Sequence, residues 1–270
     1  MFRTLLKLAG VIVFGFLLSC SSKKIQTDVA TKNAVSVMTY NVHHCNPPEK
    51  VNVIDADAIA TVIRNQHADL VAVQEVDVNT NRSGKINQAE LLAQKAGYPY
   101  FHFGKAMDYD GGQYGVLILS KYPLSDTQTH ALPKSASARD EPRVLASATV
   151  TMPNGKLFKF GSTHMEAYNK ASRELQAKEI SRIAGESSLP FIVAGDFNAG
   201  EGSDVIRIFD EHFTRTCNNC PSTFWEGGET GAIDYIVFRT KDAFKVLSHE
   251  VVQNKEASDH MPVIAELQFK

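Results

Sequence analysis

At six places in this chain a run of apolar or β-branched residues gives out at polar side chains. Asn41 closes Val35–Tyr40, and Gln74-Glu75 closes Leu70–Val73. His164 follows Phe158–Ser162 through Thr163, and Asp196 and Asn198 sit in Gly195-Asp196-Phe197-Asn198 after Phe191–Ala194. Asp234 follows Ile233, and Ser258-Asp259-His260 opens the last apolar alternation. As chemistry, Asn41, Glu75 and Asp259 are hard oxygen donors of the kind that hold Mg2+, Mn2+ or Ca2+. Protonated, His164 and His260 donate to charge developing on a phosphoryl oxygen. Asp196 and Asp234 then divide between orienting a water and orienting an imidazole. Metal, acid–base and phosphate-donor groups together specify hydrolysis of a phosphate ester. One polar strand ending is ordinarily a satisfied turn residue. Six in one chain point to a shared rim, where rigid sheets place their chemistry.

The elements that must position these groups alternate along the chain. Ala34–Asn41 is β-branched and predicts a strand; Asp69–Glu75 predicts a buried one. From Asp57 to Gln66, Ile59, Val62 and Ile63 recur at helical spacing. A second helix over Gln88–Ala96 ends at Gly97, and a third runs from Ala171 to Ala184. Val116–Ser120, Val144–Thr151, Leu157–Thr163, Phe191–Gly195, Ala232–Phe238, Phe244–His249 and Pro262–Gln268 read as strands, with a hairpin turn at Met152-Pro153-Asn154-Gly155-Lys156. Strands outnumber helices, and hairpins mix with crossovers. That predicts an α+β fold, two mixed sheets packed face to face with helices outside.

Ahead of this domain, Arg3 and Lys7 precede an apolar run from Leu8 to Leu18. A membrane span needs about 20 apolar residues, so the run fits a secretory leader. Leu17-Leu18-Ser19-Cys20 followed by Ser21-Ser22-Lys23-Lys24 resembles the processing site of bacterial lipoproteins. On that reading residues 1–22 are leader and lipid-anchor region with Cys20 acylated, 23–33 a tether, and 34–270 one domain anchored outside the cytoplasm as a monomer. Without Arg3 and Lys7 the chain has 26 Lys and Arg against 30 Asp and Glu, a charge of −4. No basic stripe for duplex DNA is evident, which disfavours a processive nuclease. Of the remaining thiols, Cys217 and Cys220 form a CxxC. A small-loop disulfide is favoured over a redox pair or half a zinc site, because no second ligand pair follows at suitable spacing.

The motifs "TYNVHH", "LVAVQEV", "YGVLILSKYPL", "EPRVLASATV", "GSTHMEA", "VAGDFNAG", "STFWEGGETGAIDYIVF" and "SDHMPV" together resemble the endonuclease/exonuclease/phosphatase superfamily, the relatives of deoxyribonuclease I. The resemblance runs from Val35 to Leu267 and implies a four-layer α/β/β/α sandwich. It implies that Asn41 and Glu75 bind the catalytic Mg2+ (Mn2+ or Ca2+ as alternatives), with Asp259 a further ligand or anchor. Asp234 would fix His260, Asp196 would position or deprotonate the attacking water, Asn198 would contact the phosphate, and His164 would bond a non-bridging oxygen. Whether Asp196 or His260 is the general base stays open.

Other residues carry two readings each. Arg82 meets substrate phosphate or is a solvated loop charge; Arg143 meets phosphate or pairs with Glu141 or a site acid. Trp225 stacks on substrate or caps the core, and Tyr114 follows the Gly111-Gly112 turn toward the site or only closes that turn. His43 and His44 read as loop donors rather than ligands. Ala232 stands where abasic-site endonucleases have Arg, and His164 where they have Tyr, which disfavours a repair enzyme. The expected function is therefore an extracytoplasmic, metal-dependent hydrolase of a small or lipid-linked phosphate ester. A secreted deoxyribonuclease I-like nuclease and a surface binding protein on an inactive phosphoesterase scaffold are the alternatives.

Overall fold

Two strand–helix–strand crossovers, each laying a parallel pair at the middle of a sheet, organise the chain. The structure, a computed structural model, describes residues 33–137, 139–225, 231–239 and 244–270. Cys20, the leader and the tether through residue 32 lie outside the described residues, as does the middle of the Trp225 motif. In the first unit β1 (Ala34–Asn41) passes through α1 (Ala56–Gln66) to β2 (Leu70–Val78), its parallel neighbour. In the second, β7 (Leu157–His164) passes through α3 (Lys170–Glu186) to β8 (Phe191–Asp196), again parallel.

Antiparallel strands complete both sheets. The first adds α2 (Gln88–Ala96), then β3 (Tyr100–Tyr109) and β4 (Gly112–Ser120) on one side, and β11 (Phe244–Val251) and β12 (Val263–Phe269) on the other, in the order β11-β12-β1-β2-β4-β3. The second runs β5-β6-β7-β8-β10-β9, with β5 (Leu124–Ala131), β6 (Val144–Thr151), α4 (Asp204–His212), β9 (Phe213–Arg215) and β10 (Asp234–Arg239).

Three apolar layers hold four layers of structure, the α/β/β/α sandwich expected. Val35, Val37, Phe158, Phe160, Ile192, Ile236 and Val263 pack between the sheets. Met38, Tyr40 and Val71 meet Ile59 and Ile63 of α1 and Leu92 of α2. Val193, Phe197 and Tyr235 meet Ile180 of α3 and Phe209 of α4. Helix ends are set locally: Asp55 accepts from Ala58 N at 2.9 Å to start α1, and Gly97 takes φ +80° to stop α2. Cys217 and Cys220 are disulfide-bonded, and Cys45 is free and buried.

Candidate active site

Strand parity decides which side chains enter the site. Along β1, Val35 and Val37 face the inter-sheet core, so with side chains alternating Thr39 and Asn41 face the same way. Phe158 and Phe160 put His164 on that face of β7. By the same count Ile192 and Ala194 align Asp196, Ile236 and Phe238 align Asp234, and Met261 and Val263 align Asp259. Direction supplies the rest: β1, β2, β7 and β8 end at the rim where β4, β6, β10 and β12 begin. The site is the inter-sheet core continued to its edge, where apolar side chains give way to polar ones.

Glu75 breaks the parity and needs a device. Val71 and Val73 face the helices, so regular pleating would send Glu75 there too. The pairing of β2 with β4 slips between Val73 and Val76, and Glu75 takes φ +59°. This bulge turns the carboxylate to the rim. There Asn41 Nδ2 donates to Glu75 Oε1 at 3.1 Å and to Asp196 Oδ2 at 3.0 Å, bridging the two sheets. Asn41 Oδ1 accepts from His43 N at 3.1 Å, and Ser258 Oγ donates to Asn41 O at 2.7 Å. His43, His44 and Cys45 all have positive φ, a strained stretch of the kind functional sites hold.

Glu75 and Asp259 line one cavity and Asn41 bonds Glu75, so side chains whose oxygens suit a hard cation gather here. Asn41, Glu75 and Asp259 offer oxygens, and an amide oxygen that accepts one hydrogen bond keeps a second lone pair. His44 Nδ1 is buried without a hydrogen-bond partner and stands 3.9 Å from Glu75 Oε2. Burial alone would raise the Glu75 pKa; His44, His164 and Asn41 outweigh it and hold the carboxyl below its usual range. Donor atoms of Asp196, Asp234 and His260 also lie within 4.8 Å of one another. His260 and Asp234, however, already share a hydrogen bond, so that trio is better suited to moving a proton.

In that trio, Asp234 Oδ2 receives Thr223 Oγ1 at 2.6 Å and His260 Nδ1 at 2.9 Å. His260 Nε2 then faces Asp196 Oδ2 at 3.7 Å. Burial would lower the His260 pKa, but the Asp234 charge and hydrogen bond, with Asp196 and Asp259, push it up to about 10. Asp196, buried and close to the Asp234 charge, has its pKa raised. Gly195 makes the register possible. A Cβ there would sit 2.0 Å from the Thr163 carbonyl oxygen, and this close approach sets Asp196 directly beside His164.

His164 differs from expectation. Its Nε2 is 3.6 Å from Asp196 Oδ2, but Arg143 Nη1 meets its Nδ1 at 3.1 Å. Burial and that guanidinium hold its pKa well below the usual imidazole value, so His164 is neutral rather than a protonated donor. Tyr114 OH reaches the same Nδ1 at 3.3 Å, placing Tyr114 in the site. Arg143 also pairs with Glu141 at 2.8 Å, the ion-pair reading. Arg82 is not a solvated loop charge: buried Asp77 grips it through Nε at 2.7 Å and Nη2 at 2.8 Å, and its guanidinium lies 4.6 Å from the Tyr109 ring centre. Trp225 takes the core-capping alternative, packing against the inter-sheet core and donating to Ser258 O at 3.4 Å. Asn198, at φ +48°, donates its amide to Met165 O at 2.9 Å.

A cavity of about 290 Å3 opens over these groups, lined by Glu75, Arg82, Arg143, His164, Asp196, Asn198, Asp259 and His260. Met107, Tyr109, Tyr168 and Phe224, with Tyr114, Glu141 and Ala167, complete its wall. Phe224 packs 5.0 Å from the His260 ring, and Tyr168 is 90% exposed at the lip. Sequence reasoning missed Met107, Tyr109, Tyr168 and Phe224; a methionine or aromatic reads the same whether it lines a site or a core.

Residues 38–260 match the model of the Endonuclease/Exonuclease/phosphatase family. Among solved structures, one from Beutenbergia cavernae described as an endonuclease/exonuclease/phosphatase superposes with TM-score 0.73 at 23% identity, covering 88% of this chain and 72% of the other. A mannosyl-6-phosphatase of Bacteroides thetaiotaomicron gives 0.70 at 18% identity over 87% of this chain and 100% of the other. The human Nocturnin catalytic domain, with a bound sulfate, gives 0.69 at 20% over 88% and 94%. At these identities the superpositions speak for the fold. With the family match covering most of its length, the chain belongs to the endonuclease/exonuclease/phosphatase family, whose members hydrolyse phosphate esters.

Proposed function

We propose that this chain is a divalent-metal-dependent phosphate-ester hydrolase, with Mg2+ its cofactor and Mn2+ or Ca2+ as substitutes, acting outside the cytoplasm on a small or lipid-linked phosphomonoester or phosphodiester. One observation carries the reading. Asn41, Glu75, Asp196 and His260 come from both sheets and from positions spread over the chain, yet they are linked within hydrogen-bonding or ion-pairing distance, with Glu75, Asp196 and His260 lining one cavity and Asn41 buried behind it.

Asn41, Glu75 and Asp259 would hold the cation, which supplies Lewis-acid stabilisation of charge on the phosphoryl oxygens. With its pKa raised, His260 is an imidazolium at neutral pH and has no lone pair to take a proton. Asp196, raised as a carboxylate, is the group able to accept the proton of the attacking water. His260 Nε2–H and His164 Nε2–H then point at the phosphoryl group, and Asn198 lines the same wall. Negative overall charge and the small cavity favour a compact substrate over duplex DNA. The mannosyl-6-phosphatase neighbour makes sugar phosphates the first esters to try. Anchoring at Cys20 rests on the Leu17–Cys20 stretch and is checked by acyl labelling of the wild type and Cys20→Ser.

The test is a panel of sugar phosphates, a bis-aryl phosphodiester and supercoiled plasmid, each with Mg2+ and with EDTA. EDTA-sensitive release from small esters with little nicking supports the proposal. Strong Mg2+-dependent nicking makes the chain a nuclease. Silence on every ester with Mg2+, Mn2+ and Ca2+ overturns the enzymatic reading in favour of a binding protein.

A further inference from the structure

His164 ends β7 with its ring buried, and its two nitrogens face opposite surroundings. On the Nδ1 side stand Arg143 Nη1 at 3.1 Å and Tyr114 OH at 3.3 Å. Nε2 faces the cavity and Asp196 Oδ2 at 3.6 Å. A guanidinium carries donors only and keeps its charge at every accessible pH. A proton on Nδ1 would therefore point at an N–H of Arg143. The contact is a hydrogen bond only if Nδ1 presents its lone pair. Burial and the Glu75 charge hold the Tyr114 phenol protonated, so it too can donate to that lone pair. The single ring proton of a neutral His164 then sits on Nε2.

Arg143 is itself held in place. It immediately precedes β6, is 4% exposed, bonds Glu141 through Nη2 at 2.8 Å, and keeps Nε 3.8 Å from the buried Glu166 carboxylate. The charged groups around the ring are thus Arg143 on one side and Asp196, Glu75 and His260 on the other.

We infer that Arg143, seconded by Tyr114, is a positioning residue that locks His164 as the neutral Nε2–H tautomer, making His164 a fixed hydrogen-bond donor to a non-bridging phosphoryl oxygen and not the acid that protonates the leaving group. His164 keeps its Nε2 proton from start to finish, and proton movement is confined to Asp196 and to His260 with Asp234. The role toward phosphate rests on the proposed hydrolase function; the tautomer does not.

The experiment is heteronuclear NMR of the histidine ring nitrogens in the full domain, with His164 assigned from the signals lost in His164→Gln. Wild type should show Nδ1 bare and Nε2 protonated, unchanged from about pH 5 to pH 9, while an unconstrained imidazole titrates inside that window. Arg143→Met should release the lock, giving mixed tautomers and a titrating ring. In turnover assays it should lower kcat roughly 10- to 100-fold, as loss of a partner that orients a site histidine does, with a smaller change in KM. Arg143→Lys, which still donates, should restore the wild-type tautomer and most of kcat. If Arg143→Met does not fold, the wild-type spectrum still decides. A proton on Nδ1, or a cationic His164 at neutral pH, overturns the inference. A correct tautomer in a protein that cleaves no phosphoester leaves the lock standing and sinks the hydrolase reading alone.

Discussion

At the scale of single residues, Asp234 holds the site's proton relay. Its Oδ2 takes Thr223 and His260, and Thr223 Oγ1 in turn accepts from the Asp234 backbone N at 3.1 Å, so the carboxylate is fixed before substrate arrives. Asp234→Asn should keep the shape and lose the charge that keeps His260 protonated. His260→Gln should lower kcat roughly 10²- to 10⁴-fold, the usual contribution of a positioned acid–base group. The pH profile follows from the two shifts. Asp196, raised, must lose its proton before it can accept one, so activity climbs above the ordinary carboxylate range. It falls again as His260 deprotonates near pH 10, and in Asp234→Asn that falling limb should move to lower pH. Stability has the same origin. The folded pKa of His260 exceeds the unfolded value of about 6.5, so its ion pair contributes fully below that pH and is lost as pH rises through about 10. Chemical denaturation across pH should show this loss in wild type and not in His260→Gln. The residues that end strands were legible in the sequence because polarity breaks an apolar run. Tyr109, Tyr168 and Phe224 were not, since nothing local separates a cavity wall from a core.

At the scale of elements, what the sequence hid follows from burial. β1, α2 and β6 have the limits their apolar patterns predict. The strands β3 and β5 went unread because both are edge strands, and β5, Leu-Ser-Asp-Thr-Gln-Thr-His-Ala, is exposed along most of its length. An edge strand needs few apolar residues and is better protected by polar ones. α4 was missed although Ser203 caps it and Val205, Ile206 and Phe209 form its buried face, because it passes straight into β9 at Phe213 without the terminating glycine that α2, of the same length, has at Gly97. The parity that aligns Asn41, His164, Asp196, Asp234 and Asp259 could have been counted from the sequence, whereas the Glu75 bulge could not, since a bulge depends on the partner strand. Gly195 tests the link from element to site. Gly195→Ala puts a methyl against Thr163 O, and the overpacking should cost about 1–3 kcal/mol. Thermal melting should report that loss, and kcat should fall further than in a surface variant of equal stability because Asp196 moves from His164.

Taken whole, the described molecule carries its site at one end of β1, with Ala34 at the other. β1 enters at Ala34 and reaches Asn41 seven residues later, about 23 Å along an extended strand. The site therefore lies at the end of β1 remote from Ala34. A soluble form beginning at residue 34 should keep kcat/KM for a soluble ester within about 2-fold, since no site residue lies in the removed segment. With a formal net charge of −2, cleavage of small esters should respond weakly to salt. A steep decline in kcat/KM with salt would indicate instead a substrate held by many phosphate contacts.

Whether one divalent cation is held at the rim and required for cleavage is decided by titrating Mg2+ into wild type and Glu75→Gln while following phosphate release from the best ester of the panel. Wild type should saturate with metal, and Glu75→Gln should need much more Mg2+ and reach a far lower rate. Equal Mg2+ dependence in the two proteins, or full release by wild type in EDTA, would contradict that requirement.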